Sequence, residues 1–317
     1  MARLRILITG AGGFVGGHLV DALRQQLIDA EIRPTTIRPH AMPDGSYLQQ
    51  LDVTDAAAVT RAIADFHPTH LVHLAGLSTL AAAEADRHAT WQVHLFGTLN
   101  LADAILARSP DCVLLFVGSG EVYGATAQSG LPLGEASVLA PMSEYAASKA
   151  AADLALGAMA TKGLRSIRLR PFNHTGPGQS DRFAVPNFAK QIAGIEAGLL
   201  PSVIKVGNLE VERDLLDVRD VVGAYASAVT RSESLANGVV LNIASGIPVR
   251  IRDLVEKLLA LSSCPIRIEQ DAARMRPNDT PRYVGDATRA RQLLSWSPQY
   301  QIAETLDDVL TSFRSIR

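Results

Sequence analysis

Arg5-Ile6-Leu7-Ile8-Thr9-Gly10-Ala11-Gly12-Gly13-Phe14-Val15-Gly16-Gly17 decides the fold. Its first five residues are a short apolar run of the kind a buried parallel strand carries. Gly10, Gly13 and Gly16 then stand three apart, and Leu19, Leu23 and Leu27 follow at helical spacing. Such a turn between strand and helix lets the backbone approach a pyrophosphate closely, with the helix N-terminus facing the negative charge. A glycine triplet alone is a flexible loop. Between a strand and a helix it predicts a dinucleotide site, with Gly10, Gly13, Phe14, Val15 and Gly16 as its contacts.

Downstream, a second strand lies within Glu31–Ile37 and ends Thr35-Thr36-Ile37-Arg38-Pro39-His40. Sites selective for NAD usually carry an acid here for the ribose 2′-hydroxyl. None is present, and Arg38 suits a 2′-phosphate, so NADP(H) is expected in preference to NAD(H). Asp52, beside Val53, is a candidate for the adenine amino group, and Asp52 or Thr54 for the cap of a helix over Ala56–Phe66. Leu71–Gly76 reads as a buried strand that brings Leu74 and Ala75 to the cofactor, with His73 as a core histidine and Ser78 within reach of a substrate. Thr90–Arg108 reads as one long helix. After the strand Cys112–Val117, Ser119 and Glu121 occupy the turn Gly118–Gly124, where parallel sheets bind ligands.

Tyr145 and Lys149 are four residues apart, on one face of a helix. A neighbouring ammonium favours the phenolate and draws a tyrosine of pKa ~10 toward working pH. That suits an acid/base acting on a ketone or alcohol. In isolation the pair is a chance neighbour on a surface helix; its place in this chain gives it meaning.

Strands and helices alternate as far as Gly178, which predicts a doubly wound parallel sheet of Rossmann type in the α/β class. Beyond it come a helix over Phe183–Gly198, a strand over Val203–Asn208, and Arg213–Asp220 opening a helix over Val221–Val229. A strand over Val239–Ile243, a helix over Ile251–Leu261, a strand over Ile266–Glu269 and a helix near Ala303–Phe313 complete the chain. Residues 1–172 are expected to form a dinucleotide-binding domain to which 213–245 return. Residues 173–212 and 246–317 are expected to form a smaller substrate lobe.

Lys and Arg number 30 against 32 Asp and Glu, so no basic excess points to nucleic acid. No apolar run is long enough to span a bilayer, and Met1–Ile6 leaves no room for a signal peptide, so a cytoplasmic location is expected. Cys112 and Cys264 lack metal-type spacing and read as buried thiols; no metal is expected.

Thr9–Gly16 (TGAGGFVG), Gly118–Gly124 (GSGEVYG), Tyr145–Lys149 (YAASK) and Arg170–Pro177 (RPFNHTGP) occur in a fixed order. Together they resemble the extended short-chain dehydrogenase/reductases that act on nucleotide sugars, over essentially the whole chain. The resemblance implies a catalytic set of Ser119, Tyr145 and Lys149, with Glu121 as a further acid/base. Phe172–Gln179, Phe188–Ile192, Val206–Glu210, Arg213–Asp220 and Arg276–Pro281 resemble the GDP-6-deoxy-4-keto-mannose reductases within that family. By position, Arg213 and Arg276 would then hold a GDP-sugar diphosphate, a task that suits a guanidinium. Asn208 and Leu209 would border the base, Asn173 would touch the sugar or its phosphate, and Lys190 would join the substrate site. A homodimer through Thr90–Arg108 and Ala150–Met159 is also implied.

The implied reaction is hydride transfer from NAD(P)H to C4 of a 4-keto-6-deoxyhexose, with Tyr145 supplying the proton. The rivals are a GDP-mannose 4,6-dehydratase using Glu121 as base at C5, a nucleotide-sugar 4-epimerase, and an NADP-sensing regulator, which loss of Tyr145 or Lys149 would have marked. Two residues depart from the family pattern. His94 stands where Asn is usual, which bears on the proton relay, and Glu144 where Pro is frequent, which is expected to alter only the surface.

Overall fold

In strand β1 (Arg5–Thr9), Ile6 and Ile8 face one side of a sheet and Leu7 the other, and none of the three is exposed. A strand buried on both faces needs a helical layer on each. Both are present in the computed structural model, which describes residues 3–38, 48–275 and 280–315.

The next strands are β2 (Glu31–Thr36), β3 (Gln49–Gln50), β4 (His70–His73), β5 (Val113–Val117) and β6 (Ser166–Pro171). They are followed by β7 (Asn173–Thr175), β8 (Val203–Val206), β9 (Glu212–Asp217) and β10 (Val239–Ile243). Seven of these pair in parallel in the order β10-β6-β5-β4-β1-β2-β3. This is the doubly wound parallel sheet expected from the alternation. The order reverses between β1 and β4, so the connections diverge there and open a crevice at the carboxyl ends of the strands.

On one face, helices Phe14–Gln26 and Val218–Thr230 bury Leu19, Leu23, Val221 and Val222 against Ile6, Ile8 and Leu115. On the other, helices Ala56–Phe66, Gly97–Arg108 and Glu144–Ala160 bury Ile63, Ile105 and Leu156 against Leu7, Leu114 and Phe116. β11 (Pro248–Arg250), β12 (Arg267–Gln270) and β13 (Arg282–Tyr283) complete the strands; β9 pairs with β7, β11 and β13, and β12 with β8. A third core, around Phe188, Ile204, Leu258 and Leu306, lies under helices Ala184–Glu196, Ile251–Ala260 and Ile302–Arg314.

Three local expectations are corrected. Arg213 to Asp217 do not open a helix but belong to β9; Asp217 then caps the helix Val218–Thr230 by accepting from Arg219 N–H. Strand pairing on both edges of β9 outweighs local propensity here. The helix over Thr90–Arg108 starts at Arg87 and contains a π-helical stretch, Gln92–Phe96. There Thr98 Oγ1 donates to the His94 carbonyl at 2.6 Å, a side chain inserted into the helical ladder. The cap of Ala56–Phe66 is neither Asp52 nor Thr54 but Asp55, which accepts from Ala57 and Ala58 N–H at 3.0 and 2.9 Å.

Gly10 has a φ of +73°, and a Cβ there would sit 2.6 Å from the Ala75 nitrogen. Gly10→Ala therefore forces a left-handed alanine against the backbone after β4. It is expected to cost ~2–4 kcal/mol, read from the denaturation midpoint, and to abolish dinucleotide binding.

Candidate active site

A cavity of about 1340 Å³ opens at the carboxyl ends of the sheet, at the reversal point. The glycine turn forms one end. Gly10, Gly13, Phe14, Val15 and Gly16 line it, and Cβ atoms at Gly10 and Gly16 would both come within 2.6 Å of backbone. The helix that begins at Phe14 has Gly13 as its N-cap and no side chain bonded to its first turn. Its leading N–H groups therefore face the cavity uncapped by any side chain, which fits a phosphate. Asp52, Val53, Leu74 and Ala75 continue the same wall. The Asp52 carboxylate accepts from Thr54 N–H and Oγ1 at 2.9 and 2.7 Å. Arg38 is exposed just beyond Ile37, which lines the cavity, but does not itself line it.

Ser119, Glu121, Tyr145 and Lys149 all line the cavity. Ser119 is buried at the end of β5, where its Oγ accepts from Glu121 N–H at 3.1 Å and hydrogen-bonds the Tyr145 hydroxyl. Ser143 caps the helix Glu144–Ala160 by accepting from Ala146 N–H, fixing the turn from which Tyr145 projects. Lys149 Nζ donates to the Val117 carbonyl at 2.9 Å and lies 5.4 Å from the Phe116 ring centre. Burial pulls Lys149 down to about 8.

The expected lowering of the tyrosine is not found. Burial pushes Tyr145 up to about 12, the Ser119 hydrogen bond opposing and the Glu121 charge adding to the rise. Lys149 shares the helix face, but its ammonium is engaged with the Val117 carbonyl and is not among the groups that shift the phenol.

His94, at the π-helical stretch, has both ring nitrogens committed. Leu77 N–H donates to Nε2 at 3.0 Å, so Nδ1 carries the proton and donates to Ser148 Oγ at 2.8 Å. Ser148 in turn donates to the Tyr145 carbonyl at 3.0 Å. Burial, then Lys149 and His73, push His94 down to about 2, and the neutral ring leaves neither nitrogen to pass a proton on from Lys149. His73 is the core histidine expected, held between Thr9 and Thr98 and pushed by burial to about 3. Glu144 does more than alter the surface: it accepts from Trp91 Nε1 at 2.8 Å and pairs with Arg87 at 3.0 Å, tying the two helices together.

Toward the C-terminal third, Ser78, Asn173, Asn208 and Arg213 all line the cavity. Arg213 Nη1 is held by the carbonyls of Glu212 and Thr280, each at 2.8 Å. Leu209 does not reach the cavity; it is buried in the third core, with Gly207 and Val211 on the wall instead. Lys190 does not itself line the cavity; it pairs at 2.6 Å with Asp181, which does. Arg276 lies outside the described residues. Arg182 and Arg274, which the motifs did not single out, join Arg213 on this wall, an anion-facing set. Thr175, Gln179 and Tyr225 also line the cavity, and a helix-face tyrosine, a strand-end threonine and a loop glutamine carry no sequence signal of this kind.

The sequence pattern of the GDP-mannose 4,6 dehydratase family matches residues 7–309. The chain is 36% identical to the GDP-6-deoxy-D-mannose reductase of Pseudomonas aeruginosa, over 98% of this chain and 97% of that one. It is 27% identical to a UDP-glucose 4-epimerase of Azospirillum brasilense, over 98% and 91% respectively. The structure of RMD from Pseudomonas aeruginosa complexed with NADPH superposes with a TM-score of 0.86 at 33% identity, covering 99% of this chain and 98% of that one. Fold, cavity and sequence thus agree, and the chain belongs to the GDP-mannose 4,6 dehydratase family of extended short-chain dehydrogenase/reductases.

Proposed function

We propose that the protein reduces the C4 ketone of a GDP-4-keto-6-deoxyhexose to the GDP-6-deoxyhexose, with NADPH preferred over NADH. The observation that carries this reading is one cavity lined by the glycine cradle, by Ser119, Tyr145 and Lys149, and by Arg182, Arg213 and Arg274. The 36% identity to a GDP-6-deoxy-D-mannose reductase supports the choice of substrate. Residues 1–172 with 213–245 would hold the dinucleotide, and 173–212 with 246–317 the sugar nucleotide.

A reduced nicotinamide bound in the cradle supplies the hydride. Tyr145 gives its proton to the alkoxide that forms at C4, and the Ser119 hydroxyl hydrogen-bonds the same oxygen. A phenol held near 12 is a protonated acid throughout the neutral range, as this direction of reaction requires. Lys149 places a buried positive charge beside the reacting centre. Arg213, pre-ordered by two carbonyls, faces the diphosphate with Arg182 and Arg274. Asn173 borders the sugar and Asn208 the base, while Arg38, outside the cavity lining next to Ile37, would reach in to the 2′-phosphate of the cofactor. No helix among the described residues is long and apolar enough to cross a membrane, and we place the enzyme in the cytoplasm. Exposed Phe96 and Leu154 support pairing of two copies through the helices that carry or adjoin them.

The second reading is the dehydratase, favoured by Glu121 beside Tyr145 on the cavity wall and by the family pattern itself. The two separate in one assay, in which NADPH absorbance is followed with GDP-4-keto-6-deoxymannose and, in parallel, with GDP-mannose. Stoichiometric NADPH oxidation with the keto sugar is expected. Tyr145→Phe should lower its rate ~10²–10⁴-fold, as loss of a general acid does. A keto product from GDP-mannose without net cofactor consumption, and no oxidation with the keto sugar, would establish the dehydratase instead.

A further inference from the structure

Tyr283 lies in β13, in the C-terminal third, yet its hydroxyl reaches the turn after β5, 163 residues earlier in the chain. It donates to the Gly120 carbonyl at 2.6 Å and accepts from the Gly124 N–H at 3.1 Å. These groups stand at positions i and i+4, the pair that an α-helical bond would join directly. The hydroxyl is inserted between them. The turn so bridged encloses Glu121 and is capped by Ser119. At Gly124 the backbone leaves helical geometry, with a φ of +46°, and a Cβ there would collide with the Ala140 carbonyl.

The tyrosine is itself held in place. It is buried, and its ring centre lies 5.8 Å from that of Phe172, which also packs on Gly120. β13 pairs with β9 so that Tyr283 stands opposite Arg213. Three residues before it, the Thr280 carbonyl accepts from Arg213 Nη1 at 2.8 Å; one residue after it, the Val284 carbonyl accepts from Leu133 N–H at 2.9 Å. The segment 280–284 therefore ties the arginine wall to the turn that carries Ser119 and Glu121. Burial, then the Glu121 charge, hold the Tyr283 phenol above its ordinary range, so it keeps its proton and remains a donor.

With its proton given to Gly120 and a lone pair to Gly124, the hydroxyl is committed to backbone and takes no part in proton transfer. We infer that Tyr283 is a positioning residue, whose hydroxyl bridge from the C-terminal third sets the Gly120–Gly124 turn and so aligns Ser119 and Glu121 with Tyr145. Ser119 reaches the Tyr145 hydroxyl by a single hydrogen bond. Without the bridge, Gly120 and Gly124 lose the partner between them and the turn is free to tighten, which draws Ser119 out of line. A shift of about 1 Å at a reacting centre is enough to slow it ~10²-fold. This role rests on the catalytic set proposed above, whichever of the two reactions that set performs.

The test is Tyr283→Phe, which keeps the ring on Phe172 and removes only the hydroxyl. With GDP-4-keto-6-deoxymannose, kcat should fall ~10–100-fold while KM and the affinities for NADPH and GDP stay within about twofold of wild type. The isotope effect on kcat from NADPH deuterated at both C4 positions should hold or rise, because the slowed step is the chemical one. Thr305→Val is the stability control: it loses a buried 2.7 Å bond to Asp217, neither residue lines the cavity, and its turnover should match wild type. Turnover of Tyr283→Phe within about twofold of wild type, an equal loss in Thr305→Val, or a reduced isotope effect would overturn the assignment. If wild type instead converts GDP-mannose to a keto product, the reductase reading fails alone. The bridge then stands if Tyr283→Phe slows that conversion to the same extent, and falls if it does not. Wild type inert toward both sugars would overturn both.

Discussion

Lys149→Met is expected to stabilise the protein while removing its activity. Lys149 is 6% exposed, and burial pulls its ammonium from 10.5 down to about 8. At ~1.4 kcal/mol per pKa unit, its burial in charged form costs ~3 kcal/mol at neutral pH. Methionine removes that cost and leaves the Val117 carbonyl without its donor, which offsets ~1–2 kcal/mol. The remaining gain should raise the unfolding temperature by ~2–4 °C while turnover falls ~10²-fold or more.

The pH dependence of wild type follows from the same group. Below pH 8 both native and unfolded chains hold the proton and the full burial cost is present. Between about 8 and 10.5 the unfolded chain keeps a proton that the native one has lost, so stability rises with pH in that window. Catalytic turnover should instead decline through pH 8 as the charge disappears. Thermal melts across pH 7–11 on both proteins test this: a variant that melts below wild type at pH 7, or a wild-type curve flat above pH 8, would contradict it.

Asp153→Ala should be among the most destabilising single changes in the chain. Asp153 is fully buried one turn after Lys149 on the same helix, and it holds Arg168 and Arg170 of β6 at 2.8 Å each. Arg170 also donates to Tyr123 Oη at 3.0 Å, and Tyr123 donates to Asn242 at 2.7 Å, so the cluster reaches from the helix across β6 to β10. Removing the carboxylate leaves the buried Arg170 and the partly buried Arg168 without their counter-charge, a loss of ~3–5 kcal/mol by urea denaturation. Asp153→Leu combined with Arg170→Met should cost less than the sum of the single changes, because each alone strands the other's charge. Full additivity would mean that the pairing contributes nothing.

The local grammar of this protein is plain in its sequence. The apolar run Ile6–Ile8, the glycine spacing and the leucines after it depend only on neighbours within one strand, turn and helix, so periodicity reveals them. Tyr145 and Lys149 were found because one helix places positions i and i+4 together. The order of the motifs then located most of the cavity wall, Ser119 and Arg213 included.

Partners from distant segments left no such trace. Nothing within Tyr145–Lys149 says that the ammonium is held by Val117 of β5, or that burial raises the phenol instead of the lysine lowering it. His94 stood out only as an unusual residue; its neutrality depends on Leu77 and Ser148, 17 and 54 residues away. Arg213 reads locally as a helix start, yet three partner strands place it in β9. Lys190 and Leu209 belong to plausible motifs, but packing of the C-terminal third turns one to Asp181 and the other into the core. Sequence by itself set the doubly wound sheet, the glycine cradle and the acid/base pair, because these rest on short-range period and turn chemistry. Charge state, the arginine wall and the Tyr283 bridge were decided by tertiary structure, because desolvation and hydrogen bonding depend on which distant segments meet.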